Sequence, residues 1–203
     1  MPRIKAATIE EHHEVVWADL TEAVRQLLLE RDYDSITMGH IAAQAGLARN
    51  TLYNYAGDKR ELVLELARRA GRPLAHQVSA IAARSAEPAA GRMLTIIEAI
   101  LSASTNHAMR LMFLPNSTPL VAELPAGREN PFTALVTEVE NVVRDGIGTG
   151  EFRAVDDVSL TVDLLTGAVR AGIHRISRDP GALPMTVHAV QHVVLAAITR
   201  EQG

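Results

Sequence analysis

The sequence predicts an all-α protein: an N-terminal three-helix helix-turn-helix module, residues 1–57, followed by a six-helix domain, residues 58–203. Three observations carry this. Hydrophobic residues make up 47% of the 203 while aromatics make up only 3%, so the core is aliphatic and Ala-rich, a composition that favours helices over sheets. Apolar residues recur at spacings of three and four through most of the chain. Two short helical patterns are joined by only Gly46-Leu47-Ala48, too brief a turn for antiparallel packing, so they must cross steeply.

The elements follow in order. Thr8-Ile9-Glu10-Glu11 is a capping-box pattern, and Val16, Leu20, Val24, Leu27 and Leu28 continue a helix to about Arg31. The chain turns at Asp32, a residue that tolerates the left-handed region. Thr37 is an N-cap for a short helix over Met38 to Ala45, stopped by Gly46, and a third helix runs from Arg49 to Tyr55. Ile41, Ala42, Ala45, Leu47 and Leu52 are the expected small core between them. Asp58 caps a long helix from Lys59 towards Arg84, which Gly71 and Pro73 should kink or interrupt.

Glu87-Pro88 opens a helix over Ala89 to Asn106, and a shorter one covers His107 to Leu114. Pro115 to Pro131 holds four prolines and reads as a loop. A helix from Phe132 ends near Gly146 to Gly150. Two more, Asp156 to Ser177 and Pro184 to Arg200, are divided by Asp179-Pro180-Gly181 and are apolar on more than one face. Such helices pack on two sides, here against their own core and against a partner copy in a four-helix bundle; the plainer alternative is that they close the monomer core.

Composition excludes several classes. With no cysteine there are no disulfides, iron–sulfur clusters or thiolate zinc sites, and a reducing, cytoplasmic setting is expected. The N-terminus lacks the apolar stretch of a signal peptide. The apolar segment 158–173 is broken by Asp163 and Arg170, so no membrane span is expected there. No phosphate loop, nucleophile elbow or carboxylate pair flanked by a base is present, so the chain does not read as an enzyme, and no cofactor is implied. His188 and His192 have metal-capable spacing, but nothing nearby completes a ligand set; they read as interface or core histidines. His12 and His13 should be solvent-exposed.

Thr37-Met38-Gly39-His40-Ile41-Ala42-Ala43-Gln44-Ala45-Gly46-Leu47-Ala48-Arg49-Asn50-Thr51-Leu52-Tyr53-Asn54-Tyr55, followed by Gly57-Asp58-Lys59-Arg60-Glu61-Leu62, resembles the signature of the tetracycline-repressor family. The pattern is a Thr, an Ile-Ala pair, an Ala-Gly, a Thr-Leu-Tyr, an aromatic near the helix end, and a Lys before a Leu. The likeness is confined to about Leu20 to Leu62; beyond it only size and helix order match. Three positions depart from it. Ala48 replaces a hydroxyl cap, forfeiting about 1 kcal/mol; Asp32 stands where Gly is usual; Ala56 stands where a Phe usually fills the core.

The resemblance implies a homodimeric transcriptional regulator whose partners are a palindromic double-stranded DNA operator and a small-molecule effector of unknown identity. A helical adaptor using the same motif for protein contacts is the alternative. In such a module the second short helix enters the major groove. Arg49 suits guanine O6 and N7, Asn50 suits adenine, and the Thr51 methyl can meet a thymine methyl. Tyr53 and Asn54 lie one turn on; by resemblance Tyr53 meets the groove or its edge, while Tyr55 and Lys59 approach phosphates. Thr37 can hold a phosphate through its hydroxyl and amide. Against this, an ordinary solvated polar helix is the bland reading of 49–55, and Tyr53 could be half-buried in the module core. Bulk charge gives no help: residues 1–60 carry seven Lys/Arg and nine Asp/Glu, a balance of −2, and the whole chain is −4.

By resemblance, too, the helices from Asp58 to Ser177 enclose an effector pocket. The expected lining is Ile97, Leu101, Met109, Met112, Phe113, Phe132, Val136 and Leu165, with Asn106, His107, Arg170 and His174 as polar anchors. Each apolar member is equally readable as plain core. The scarcity of aromatics favours an aliphatic or flexible ligand over a stacked planar one.

Overall fold

The computed structural model describes residues 9–110, 112 and 130–199. It divides into two compact units, one containing residues up to Ala70 together with 107–112, the other containing 71–106 and the described residues from 130 onward. No strand occurs among the described residues; an isolated antiparallel bridge joins Phe152 and Thr199.

In the first unit, α1 spans Ile9–Glu30 and buries Val16, Trp17, Leu20, Ala23, Val24, Leu27 and Leu28, one face at helical spacing. The expected Thr8 cap lies outside the described residues. Asp32 is extended (φ −68°, ψ 144°) rather than left-handed, because the chain enters a 3₁₀ turn at Tyr33–Ser35 instead of reversing tightly. Tyr33 is almost fully buried there. Next come α2 (Met38–Gln44) and α3 (Arg49–Tyr53). Gly46, at φ +66°, is the left-handed residue that ends α2, and its turn is fixed by Leu47 N–H donating to the Ala42 carbonyl at 2.9 Å. α2 packs on both α1 and α3. Ile41, Ala42 and Leu52 form the expected core, whereas Ala45 and Leu47 are only half-buried at its edge. α6 (His107–Arg110) lies against α1.

α4 spans Lys59–Ala82 and belongs to both units. Asp58 caps it as expected, accepting the Glu61 amide at 2.8 Å, while Glu61 reaches back to the Gly57 amide at 2.6 Å. Pro73 does not interrupt it. A proline inside a helix removes one donor and crowds the carbonyl four residues back. Here the ring is on an exposed face while Leu66, Ala67, Leu74, Val78 and Ile81 bury the other side, and that burial holds the helix through the defect.

In the second unit α5 (Ala89–Ala103) is central, packed on by α7 (Pro131–Thr149), α8 (Val158–Arg178) and α9 (Leu183–Ile198). α7 starts on an Asn130 cap to the Phe132 amide, 2.9 Å, and ends at Gly150 with φ +81°. α8 starts on an Asp157 cap to the Leu160 amide, 3.0 Å. α8 and α9 approach closely at Gly172, where an added Cβ would lie 2.9 Å from Val190 and 3.1 Å from Leu101. Buried Arg92 ties three elements together, donating to the last carbonyl of α4 (Ala82, 2.7 Å) and to Asp145 on α7 (3.0 Å). Residues 180–198, not flagged in the sequence, are long and apolar enough to cross a membrane by composition; α9 instead packs on α5 and α8 through Val190, Val194 and Ile198.

Candidate nucleic-acid interface

Leu52 is the anchor of the site. Fully buried in the module core, it fixes the roll of α3, so its neighbours on the helix turn outward. Arg49, Asn50, Tyr53 and Asn54 are exposed and Thr51 is half-exposed. Tyr53 is 43% exposed, so it is not sealed in the module core. The Arg49 guanidinium carbon lies 5.9 Å from its centroid. α3 is two residues shorter than expected, ending at Tyr53. Ala48 gives no side-chain cap; its carbonyl accepts from the Thr51 and Leu52 amides at 2.9 and 3.2 Å.

Thr37 caps α2, with an addition the sequence did not reveal. Its hydroxyl oxygen accepts from the His40 amide at 3.2 Å, and the His40 Nδ1 accepts from the Thr37 amide at 3.3 Å. His40 thus takes the place of the Glu or Gln of a capping box. Both side chains are exposed.

Tyr55 and Lys59 are both half-buried and held by aromatic neighbours. Tyr55 meets Trp17 edge-on, with centroids 5.5 Å apart and planes at 85°, and the ring of His13 lies 5.3 Å away. Trp17 is in turn covered by Arg69, whose guanidinium is 4.4 Å from the ring centroid. Lys59 donates to the Tyr33 carbonyl at 3.0 Å and sits 4.0 Å from the Tyr33 ring centroid. An ammonium has three donors, so two remain for other acceptors. Tyr33, Trp17, His13, His40 and Arg69 were not expected at the site. Trp17, His13 and Arg69 lie well outside the motif and Tyr33 just before it, while His40 lies within the motif but is not the Glu or Gln that a capping box usually carries; Trp17, the one tryptophan, on the buried face of α1, was the available signal.

The residues expected to line an effector pocket are divided. In the second unit Ile97, Leu101 and Leu165 are buried and Phe132 and Val136 half-buried. Asn106, Arg170 and His174, expected as polar anchors, are exposed. For Arg170 and His174 the reason is periodicity: at about 100° per residue, five and nine positions beyond inward-facing Leu165 turn α8 by roughly 140° and 180°. Met109 and Met112 are buried in the first unit; Phe113 lies outside the described residues, as does the side chain of His107. His12, His13, His188 and His192 are exposed. Among the described residues no three metal-ligating side chains gather.

The outward faces of α8 and α9 carry Leu160, Leu164, Met185 and Val193, each more than half exposed. Gly167, Ala171, Ala189 and Ala196 are exposed on the same two helices.

Residues 20–66 match the family described as bacterial regulatory proteins, tetR family. An uncharacterized HTH-type transcriptional regulator of Mycobacterium tuberculosis, recorded from strains CDC 1551 / Oshkosh and ATCC 25618 / H37Rv, is 30% identical over 122 residues. The match covers 60% of this chain and spans 60% of the length of those relatives. Among solved structures, the repressor SmeT of the Stenotrophomonas maltophilia efflux pump SmeDEF superposes with a TM-score of 0.70 at 16% identity, covering 93% of this chain and 91% of its own. The transcriptional regulator FadR of Bacillus subtilis, solved in complex with stearoyl-CoA, gives 0.69 at 16% identity, with 90% and 99% covered. At such identities these two likenesses establish the fold.

Proposed function

We propose, from a chain whose residues 20–66 match the tetR family of bacterial regulatory proteins, that it is a member of that family: a DNA-binding transcriptional regulator acting as a homodimeric repressor. It binds a palindromic operator and is released by a small-molecule effector. The observation that carries this is the outward presentation of Arg49, Asn50, Tyr53 and Asn54 on a helix rolled into place by buried Leu52. Arg49 and Asn50 read base edges, the Thr51 methyl reads thymine, and Thr37, Tyr55 and Lys59 hold phosphates.

One such helix covers few base pairs, so two copies are required, set about 34–36 Å apart on successive major grooves. The apolar outer faces of α8 and α9 form the dimer contact, with the small residues between them admitting close approach. Residues 1–57 are the reading head and 58–203 the effector and dimer region. The effector lies among Ile97, Leu101, Phe132, Val136 and Leu165, and an aliphatic one suits a chain with 3% aromatics. A neighbouring fold solved with stearoyl-CoA supports that choice of chemistry. It acts by binding better to the conformation that does not fit DNA. The protein works in the cytoplasm, where the DNA is, and turns nothing over.

The test is selection of bound duplexes from a random pool. Enrichment of a palindrome supports the proposal; failure to enrich any sequence refutes it. An adaptor that binds protein through the same helices would show the latter and would keep its partner in Arg49→Ala.

A further inference from the structure

Tyr55 stands just beyond the end of α3, where helical geometry no longer fixes its side chain; its backbone is tethered by its amide donating to the Leu52 carbonyl at 2.9 Å. Its ring direction is set instead by the edge-on contact with Trp17, itself 7% exposed. The indole is also covered by Arg69, whose guanidinium lies 4.4 Å from the ring centroid, with Nη1 donating to Glu14 at 2.8 Å and Nε donating to Glu65 at 2.9 Å. Among the described residues the Tyr55 hydroxyl has no hydrogen-bond partner. A phenol clamped by its ring, with no partner for its oxygen among the described residues, is arranged to meet an acceptor from outside.

We infer that Trp17 and Arg69 are positioning residues that hold the Tyr55 hydroxyl at a phosphate of the bound duplex. This rests on the DNA-binding reading. Arg69 itself touches no phosphate, because two carboxylates already hold its guanidinium in the plane that stacks on the indole.

The experiment is a double-mutant cycle on the full chain and the selected duplex, with binding measured over a range of salt. Tyr55→Phe removes only the hydroxyl and weakens binding roughly tenfold, as expected for loss of a hydrogen bond to a charged oxygen. Arg69→Met and the gentler Arg69→Lys weaken it several-fold in the wild-type background and not at all in the Tyr55→Phe background. The salt slope of Arg69→Met stays that of the wild type. Additive penalties, a slope reduced by about one as for a lost phosphate contact, or a neutral Tyr55→Phe each overturn the inference. Arg49→Ala separates the two levels: if it loses the site while Tyr55→Phe does not, the DNA reading stands and the positioning role falls. If the wild type binds no duplex, both fall.

Discussion

The Arg49 guanidinium sits 5.9 Å from the centre of the Tyr53 ring, one turn further along the same short helix. Tyr53 is 43% exposed, and in the proposed DNA complex its ring is a platform that narrows the directions the longer side chain samples before docking. Less entropy is then lost on docking. Arg49→Ala should cost about 1–3 kcal/mol of operator affinity, concentrated at one base position. Arg49→Lys keeps the charge and loses the two-pronged geometry, so it should relax base preference at that position more than it lowers affinity. Binding to a panel of single-base operator variants measures both.

Leu164 projects from α8 with 69% of its surface exposed, on the face shared with Leu160, Met185 and Val193. If that face meets its symmetry copy, Leu164→Glu places a carboxylate in an apolar seam without a partner, which costs several kcal/mol or forces the seam apart. Sedimentation should show monomers where the wild type shows dimers, with unchanged circular dichroism and loss of binding to the full palindrome. A dimer that persists unaltered would place the contact elsewhere.

The reading module was legible because its instructions are local. Thr37, Gly46 and Asp58 are caps and stops whose partners lie within four residues, and the structure realises all three. The side chains that support the module were not legible, because their partners are distant: Lys59 reaches Tyr33 across 26 positions and Arg69 reaches Glu14 across 55. Pro73 is the converse case. A local rule kinks or interrupts a helix there, and the helix is not interrupted because apolar residues on both sides of the proline are buried. Arg170 and His174 are expected beside Leu165 only through the resemblance, and helical phase separates them.

Glu151 caps α5 from far along the chain, since Pro88 at the N-cap has no side-chain bond to offer. Its carboxylate accepts from the Ala89 and Ala90 amides at 3.0 and 3.1 Å. The Ala89 amide first, then the Ala90 amide, lower its pKa below the usual glutamate value. With the folded value depressed, its stabilisation is complete above the unfolded value of about 4.3 and is lost as pH falls through the folded one. Glu151→Gln should therefore melt lower at neutral pH, by the order of 1 kcal/mol typical of a lost cap. The gap to wild type should close in acid. Thermal melts across that range test the sign: a gap that widens in acid contradicts this account.

Gly146 and Phe152 meet without room for another atom. A Cβ built on Gly146 would fall 2.2 Å from the Phe152 ring, which is itself 1% exposed and belongs to the segment that closes on α9. The Phe152 amide donates to the Gly146 carbonyl at 2.9 Å, and Arg153 follows with its amide on the Ile198 carbonyl at 2.8 Å and its Nε on the Ala197 carbonyl at 2.9 Å. The ring cannot retreat without pulling these bonds. In an ordinary helix interior glycine is the poorer residue by about 1 kcal/mol, so Gly→Ala usually helps. Here the clash should prevail, and Gly146→Ala should destabilise by about 1–3 kcal/mol, the range for overpacked cores. The control is Phe152→Ala, which is costly alone but removes the three ring atoms that a Cβ at 146 would meet. In that background Gly146→Ala should cost much less or stabilise, a non-additivity that urea denaturation of the four variants would read. Equal penalties in both backgrounds would mean that the ring is not what excludes a side chain at 146.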